Sequence, residues 1–136
     1  MNKQQQQVEE FMRTFGQNVP SGFTPLEYPG LLRASLIMEE AGEFEEAVAA
    51  DDWVGAIDAI CDLLYVTYGA ASAMGIDIEP FFDEVHRSNM SKVDPETGRP
   101  IYREDGKVLK PDTYSPADLK KVLLKHYTKF FLAQAE

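Results

Sequence analysis

The 136-residue sequence predicts an all-α fold, an antiparallel helical bundle with a small hairpin or irregular insertion before the last helix. Three observations carry this. From Gly30 to Ala50 apolar residues recur on one helical face, with Leu32, Leu36, Ile37, Phe44 and Ala47 inside a single arc at 100° per residue. From Ile57 to Met74 apolar residues occupy nearly all faces, as expected of a central helix. Only Asp51-Asp52 separates the first helix from this one, which begins at Trp53, and so short a connection makes neighbouring helices antiparallel.

Taken in order, residues Asn2 to Gln7 are polar, with a low-complexity tract from Gln4 to Gln7, and are expected to fray. Val8, Phe11, Met12 and Phe15 then give a short amphipathic helix ending near Gly16. Pro20, Gly22, Pro25 and Pro29 make Gln17 to Pro29 an extended connection, with Phe23 a core candidate and Tyr28 free to pack or to stack on a ligand. The Gly30–Ala50 helix follows, and Asp51-Asp52 supplies the cap of the next, which starts at Trp53 and stops near Gly75. Asp77 is the expected cap of a further long helix, with Pro80 in its first turn and His86 to Lys92 in its last. Ile101 to Glu104 faces Lys107 to Lys110 across Asp105-Gly106, the pattern of a hairpin with a two-residue turn. Ser115 as cap, Pro116 and Asp118 open a final helix running through Leu119, Val122, Leu123 and Tyr127.

The length and a 44% hydrophobic content suit one domain spanning residues 1–136. A formal net charge of −10 argues against a nucleic-acid surface, which needs clustered Lys and Arg, and leaves room for a small phosphorylated ligand carried with a metal. Cys61 is the one cysteine, expected as an inert core thiol. The start MNKQQQQVEE lacks a secretory core, so a cytoplasmic location is expected. The run Ala56 to Ile78 is long and apolar, but Asp58, Asp62 and Asp77 would each cost about 2.5 to 3.5 kcal/mol at mid-bilayer, so no membrane role is expected.

The chemistry is concentrated in two acidic stretches. Glu40 and Glu43 lie inside the apolar arc of their helix, while Asp58, Asp62 and Tyr65 share one face of the next. If the two faces meet, four or five carboxylates converge in a low-dielectric space and must pair, protonate or bind metal. Arg33 is the last cation before Arg87, so the compensating charge comes from elsewhere, and a hard divalent cation with oxygen ligands is the natural candidate. Glu45 and Asp51 are expected on a solvated face. Asp83 with His86 forms only one carboxylate-x-x-His pair where a di-iron bundle needs two.

Glu40-Ala41-Gly42-Glu43, followed on the next helix by Asp62, resembles the ExxE…ExxD motif of the MazG-like all-α nucleoside triphosphate pyrophosphohydrolases and dimeric dUTPases. Ala59 stands where that motif has its third Glu, and Asp58, on the same helical face, is the expected substitute. The segments Asp62 to Ala70, Glu84 to Lys92 and Asp105 to Pro111 are similar to a MazG-like subgroup with dUTPase-type activity. The resemblance implies an obligate homodimer that hydrolyses a (deoxy)nucleoside triphosphate such as dUTP to the monophosphate and pyrophosphate, as a house-cleaning activity on the nucleotide pool. It implies Mg²⁺, or Mn²⁺ in its place, held by Glu40, Glu43, Asp62, Asp58 and Glu39. Glu39 and Glu40 are the implied catalytic groups, and Tyr65, Asn89, Lys92, Lys107 and Lys110 the implied substrate contacts. The alternative is a non-catalytic acidic bundle that binds nucleotide or a protein partner, the departure at Ala59 having removed turnover.

Overall fold

The computed structural model describes residues 1–133. Its helices are α1 (Lys3–Thr14), α2 (Gly30–Ala49), α3 (Trp53–Met74), α4 (Glu79–Met90), α5 (Leu119–His126) and α6 (Thr128–Ala133). Among the described residues there is no strand, only two isolated antiparallel bridges. The chain groups into two compact units, Met1–Ile78 and Glu79–Glu136.

In the first unit α3 is the axis. The α2 helix runs antiparallel to it, with Arg33 beside Gly69 at one end and Glu40 near Asp62 two turns on. On another side lies α1, also antiparallel: Gln5 bonds Ser72, Val8 lies near Gly69, and Phe11 meets Tyr65. Val8, Met12 and Ala73 form the buried core, with Val19, Tyr28 and Tyr68 packed around it. Phe23, expected in the core, is half-buried.

The glutamine tract does not fray. The Asn2 side chain caps α1 by accepting from the Gln5 amide at 2.8 Å, and the helix begins at Lys3 rather than Val8. Gln5 is fully buried, yet each end of its amide is satisfied: Nε2 donates to Ser72 Oγ (2.9 Å) and Ile76 O (2.8 Å), and Oε1 accepts from the Ile78 amide (3.1 Å). A polar side chain enters a core at little net cost when its bonds to water are replaced in this way.

All three helices of this unit end on the same hydrogen-bond pattern, the sixth amide returning to the first carbonyl: Gln17 to Met12, Asp52 to Ala47, and Ile76 to Ala71. The left-handed residue this requires is Gly16, Asp51 and Gly75 in turn. At Gly75 no other residue fits, because an added Cβ would lie 1.9 Å from the Gly22 carbonyl oxygen. Asp51 adopts φ 56° without glycine, which a short polar side chain tolerates, and leaves Asp52 to cap α3 through its bond from the Gly55 amide at 2.9 Å.

Within the first unit, much of α3 is uncovered by α1 and α2. Ala56 and Ala59 are buried, but Val54 (80%), Ile57 (63%) and Leu64 (53%) are exposed, and so is Cys61, contrary to the expected core thiol. Small residues let α2 come close, and a close, narrow contact covers only a strip of the helix. By length and composition alone, Trp53–Met74 is apolar enough to cross a membrane.

The second unit departs from expectation in two places. Its first helix begins at Glu79 with Pro80 in its first turn. The hairpin pairs Arg103 with Lys107 (N to O, 2.7 Å) and Ile101 with Leu109, one residue out of the expected register. The turn is therefore three residues, Glu104-Asp105-Gly106, closed by Gly106 at φ 85°, an alternative hairpin geometry the Asp-Gly pair also serves. The last helix starts later and breaks: Asp118 caps α5 by accepting from the Lys121 amide at 3.0 Å, while the Ser115 amide donates instead to Ser91 Oγ at 2.8 Å. At Tyr127 α5 ends, and α6 follows. Glu84 ties α4 to the start of α5, bonding the Arg87 guanidinium and the Asp118 amide, which hold its carboxyl at about 2.

Candidate active site

The site is built where α2 and α3 run side by side. Ala59, at the position of the motif's third Glu, is buried, so this is the closely packed face of α3, and Asp62 lies one turn further along it. Opposite, Glu40 is half-buried, and its Oε2 is shut off from solvent and makes no hydrogen bond. Its carboxyl is pushed above the ordinary range, first by desolvation and then by the charges of Glu43, Asp62 and Glu39. A carboxyl–carboxyl contact with Glu43 adds to the shift and is favourable only when one of the pair holds a proton.

Glu39, Glu40, Glu43 and Asp62 are therefore brought together. Asp58 is exposed and is not among the charges acting on Glu40. Burial is shallower than the sequence arc suggests: no residue of α2 is fully buried, and Glu39, Glu43 and Asp62 are exposed. The physical reason is that α3 covers α2 on one side, and covering the whole arc requires a second neighbour.

Among the described residues, no three Asp, Glu, His or Cys side chains stand in an arrangement that could hold a metal ion as they are. The chemistry of the donors nevertheless suits one. All are carboxylate oxygens, one is buried without a partner, and Glu43 and Asp62 are exposed enough to turn toward it without unpacking the core.

Tyr65, one turn beyond Asp62, meets Phe11 edge to face at 5.6 Å between ring centres, and Phe11 in turn lies 4.4 Å from Phe15. Asn89 and Lys92 belong to the second unit, where the Lys92 ammonium donates to Asn89 Oδ1 at 3.0 Å. Lys107 and Lys110 are on the hairpin; the Lys107 amide bonds Asp105, and the Lys110 ammonium sits 4.7 Å from the Tyr114 ring centre.

One residue was not anticipated. Arg33 lies on the same face of α2 as Glu40, two turns earlier, with its Nε buried and unbonded. Its Nη2 donates to Gln17 Oε1 at 3.3 Å, and its Nη1 lies only 3.0 Å from the place where a Cβ on Gly69 would stand. The available signal was its isolation as the last cation before both acidic stretches.

The pattern of phosphoribosyl-ATP pyrophosphohydrolases matches residues 8–89, more than half of the chain and the whole of α2 and α3. An uncharacterized protein of Acanthamoeba polyphaga mimivirus is 33% identical over 126 residues, covering 88% of this chain and 47% of that protein. The chain thus spans about half the length of that relative. The helices that gather the carboxylates are the helices the family pattern covers, and the chain belongs to the phosphoribosyl-ATP pyrophosphohydrolase family, within the MazG-like all-α nucleoside triphosphate pyrophosphohydrolases.

Proposed function

We propose that the protein hydrolyses a nucleoside triphosphate, with a deoxynucleotide such as dUTP the leading substrate, to the monophosphate and pyrophosphate. The observation that carries this is the carboxylate cluster on α2 and α3, with its buried, unpartnered Glu40 oxygen, inside the segment the family pattern covers. Glu40, Glu43 and Asp62 would hold Mg²⁺, or Mn²⁺, with Glu39 and Asp58 as further ligands; the ion supplies charge neutralisation for the phosphates and a Lewis acid at the reacting oxygen.

The protein's own groups do the rest. Glu39, exposed at the edge of the cluster, takes the proton from a water attacking the α-phosphorus. The bond from that phosphorus to the bridging oxygen breaks, and pyrophosphate leaves. Glu40 stays inside the cluster, where burial makes its charge state depend on what binds there. Tyr65 offers an aromatic edge to the substrate, and Asn89, Lys92, Lys107 and Lys110 remain, by resemblance, the groups that hold phosphate oxygens.

We also propose a cytoplasmic homodimer. The exposed apolar side chains of α3 need cover, and Asp58 and Asp62 on the same helix favour a protein partner over lipid, at about 2.5 to 3.5 kcal/mol for each charge at mid-bilayer. Sedimentation equilibrium tests the assembly.

The decisive experiment is a panel of canonical and modified nucleoside triphosphates with Mg²⁺ or Mn²⁺ and resolved products. Monophosphate with pyrophosphate is expected. Diphosphate with orthophosphate would remove the reaction class, and binding without turnover would favour the non-catalytic bundle.

A further inference from the structure

We infer that Arg33, seated in the notch left by Gly69 and steadied by Gln17, reads the nucleobase and selects bases with a keto edge over bases with an amino edge. The inference rests on the proposed function and adds a substrate class to it.

Three features of the first unit lie in order along α3. Asp62 and the Glu40 cluster come first; one turn on is Tyr65, against Phe11 and Phe15; one turn further is Gly69, where the Arg33 guanidinium lies. Val8 on α1 touches the same notch, 3.7 Å from the Gly69 Cβ position, three residues before Phe11. Asp62 and Gly69 are separated by about 10 Å at 1.5 Å per residue. A nucleotide whose α-phosphorus lies at the carboxylates would reach the aromatic side chains with its base and the guanidinium with the far edge of that base.

The aromatic group is open for this. Phe11 and Tyr65 are each 39% exposed and Phe15 67%, although they touch one another, and bases stack on aromatic faces whatever their sequence identity. Selection therefore has to come from the edge. Arg33 is one of three Lys or Arg side chains in residues 1–78, and Arg13 is already paired with Glu9, 2.7 Å away. Among the ion pairs described, Arg33 has none, and its buried Nε has no acceptor.

Guanidinium is all donor, and with Gln17 Oε1 engaged by Nη2, the Gln17 side chain presents its NH₂ as well. A donor-only edge pairs with the carbonyl of uracil, thymine or the O6/N7 edge of guanine, and meets the exocyclic amino group of cytosine or adenine donor to donor. A phosphate would pair with Arg33 too, but the phosphates are assigned to the carboxylate end, and Val8 at the notch with the aromatic group one turn away favours the base.

The test compares kcat/KM for dUTP, dTTP and dGTP with that for dCTP and dATP, in the parent and in Arg33→Gln and Arg33→Lys. The parent should prefer the keto set. Arg33→Gln should lower the keto-to-amino ratio by about 10- to 100-fold, the usual scale for one hydrogen bond to a charged group, and Arg33→Lys by less, with unchanged thermal melts as the check on folding. An equal loss on all five substrates would make Arg33 a phosphate anchor or a structural tie and overturn the inference while leaving the hydrolase reading intact. If none of the five is hydrolysed, the deoxynucleotide substrate falls. Calorimetric binding of dUMP, dTMP and dGMP against dCMP and dAMP then decides base reading: a keto preference lost in Arg33→Gln sustains it, and equal affinities overturn it.

Discussion

Gly69→Ala separates the local energetics of α3 from the placement of Arg33. Within a helix, Ala is favoured over Gly by about 0.8 to 1.0 kcal/mol, through reduced freedom of the unfolded chain. The new methyl would meet only two atoms outside its own helix, Arg33 Nη1 at 3.0 Å and Val8 Cγ1 at 3.7 Å. The second is ordinary contact. The first requires the guanidinium to move by a few tenths of an ångström, and that group ends a long side chain held by one bond of 3.3 Å to an exposed glutamine. The strain is therefore small, and a net gain of roughly 0.5 to 1 kcal/mol should raise the melting temperature by about 2 to 4 °C for a chain of this size. Differential scanning calorimetry at pH 7 without nucleotide reads this directly. The same variant, assayed on the nucleotide panel, should lose part of its keto preference, because the donors have shifted. A melting temperature lowered by several degrees would refute the reasoning, since the guanidinium would then be a rigid strut between α2 and α3.

Three other expectations follow from the same geometry. Glu43→Gln keeps the side chain's shape and removes one anionic ligand, so a folded protein with turnover reduced about 100-fold or more is expected, roughly 2.7 kcal/mol of barrier; near-parent turnover would return Glu43 to a structural role. Mg²⁺ or Mn²⁺ at ten times its dissociation constant should stabilise the fold by RT ln 11, about 1.4 kcal/mol, or on the order of 4 °C, and sodium chloride at matched ionic strength should not; equal shifts would mean there is no specific site. Glu84, held at about 2 by Arg87 and the Asp118 amide, contributes stability that is present above its ordinary pKa of 4.5 and is lost as pH falls through 2. The melting-temperature gap between the parent and Glu84→Gln should therefore narrow on acidification across that window, and a constant gap would show that the ion pair does not tie α4 to α5.

The fold was legible where local chemistry decides it. Apolar spacing located α2 and α3, and Gly16 and Gly75 marked helix ends because their left-handed conformation is a local requirement. Two of the misreadings share a cause, a bond made far along the chain. Gln5 looked like part of a solvated tract, and its partners Ser72, Ile76 and Ile78 are about seventy residues away. Ser115 looked like a cap, but its amide is taken by Ser91, and Asp118 caps the helix instead. The hairpin register slipped by one because Asp-Gly serves both a two-residue turn and the end of a three-residue one.

The site was legible in its members more than in its depth. Periodicity placed Glu40, Glu43 and Asp62 toward a common seam, and the desolvated Glu40 carboxyl feels both of the others. Periodicity cannot say how much of an arc its neighbour covers, and here Ala56 and Ala59 bring α2 close along a narrow strip, leaving Glu43 and Asp62 in solvent. One of these alanines, Ala59, is also the departure from the family motif. With Ala59 in the packed contact, a longer acid at that position would have to reach past α2, while Asp58, one residue round the helix, points away from the strip into solvent. Asp58 can therefore join the cluster only by turning back toward it. Asp62 needs no such movement to act on Glu40, which makes Asp62 the first of the two aspartates to test.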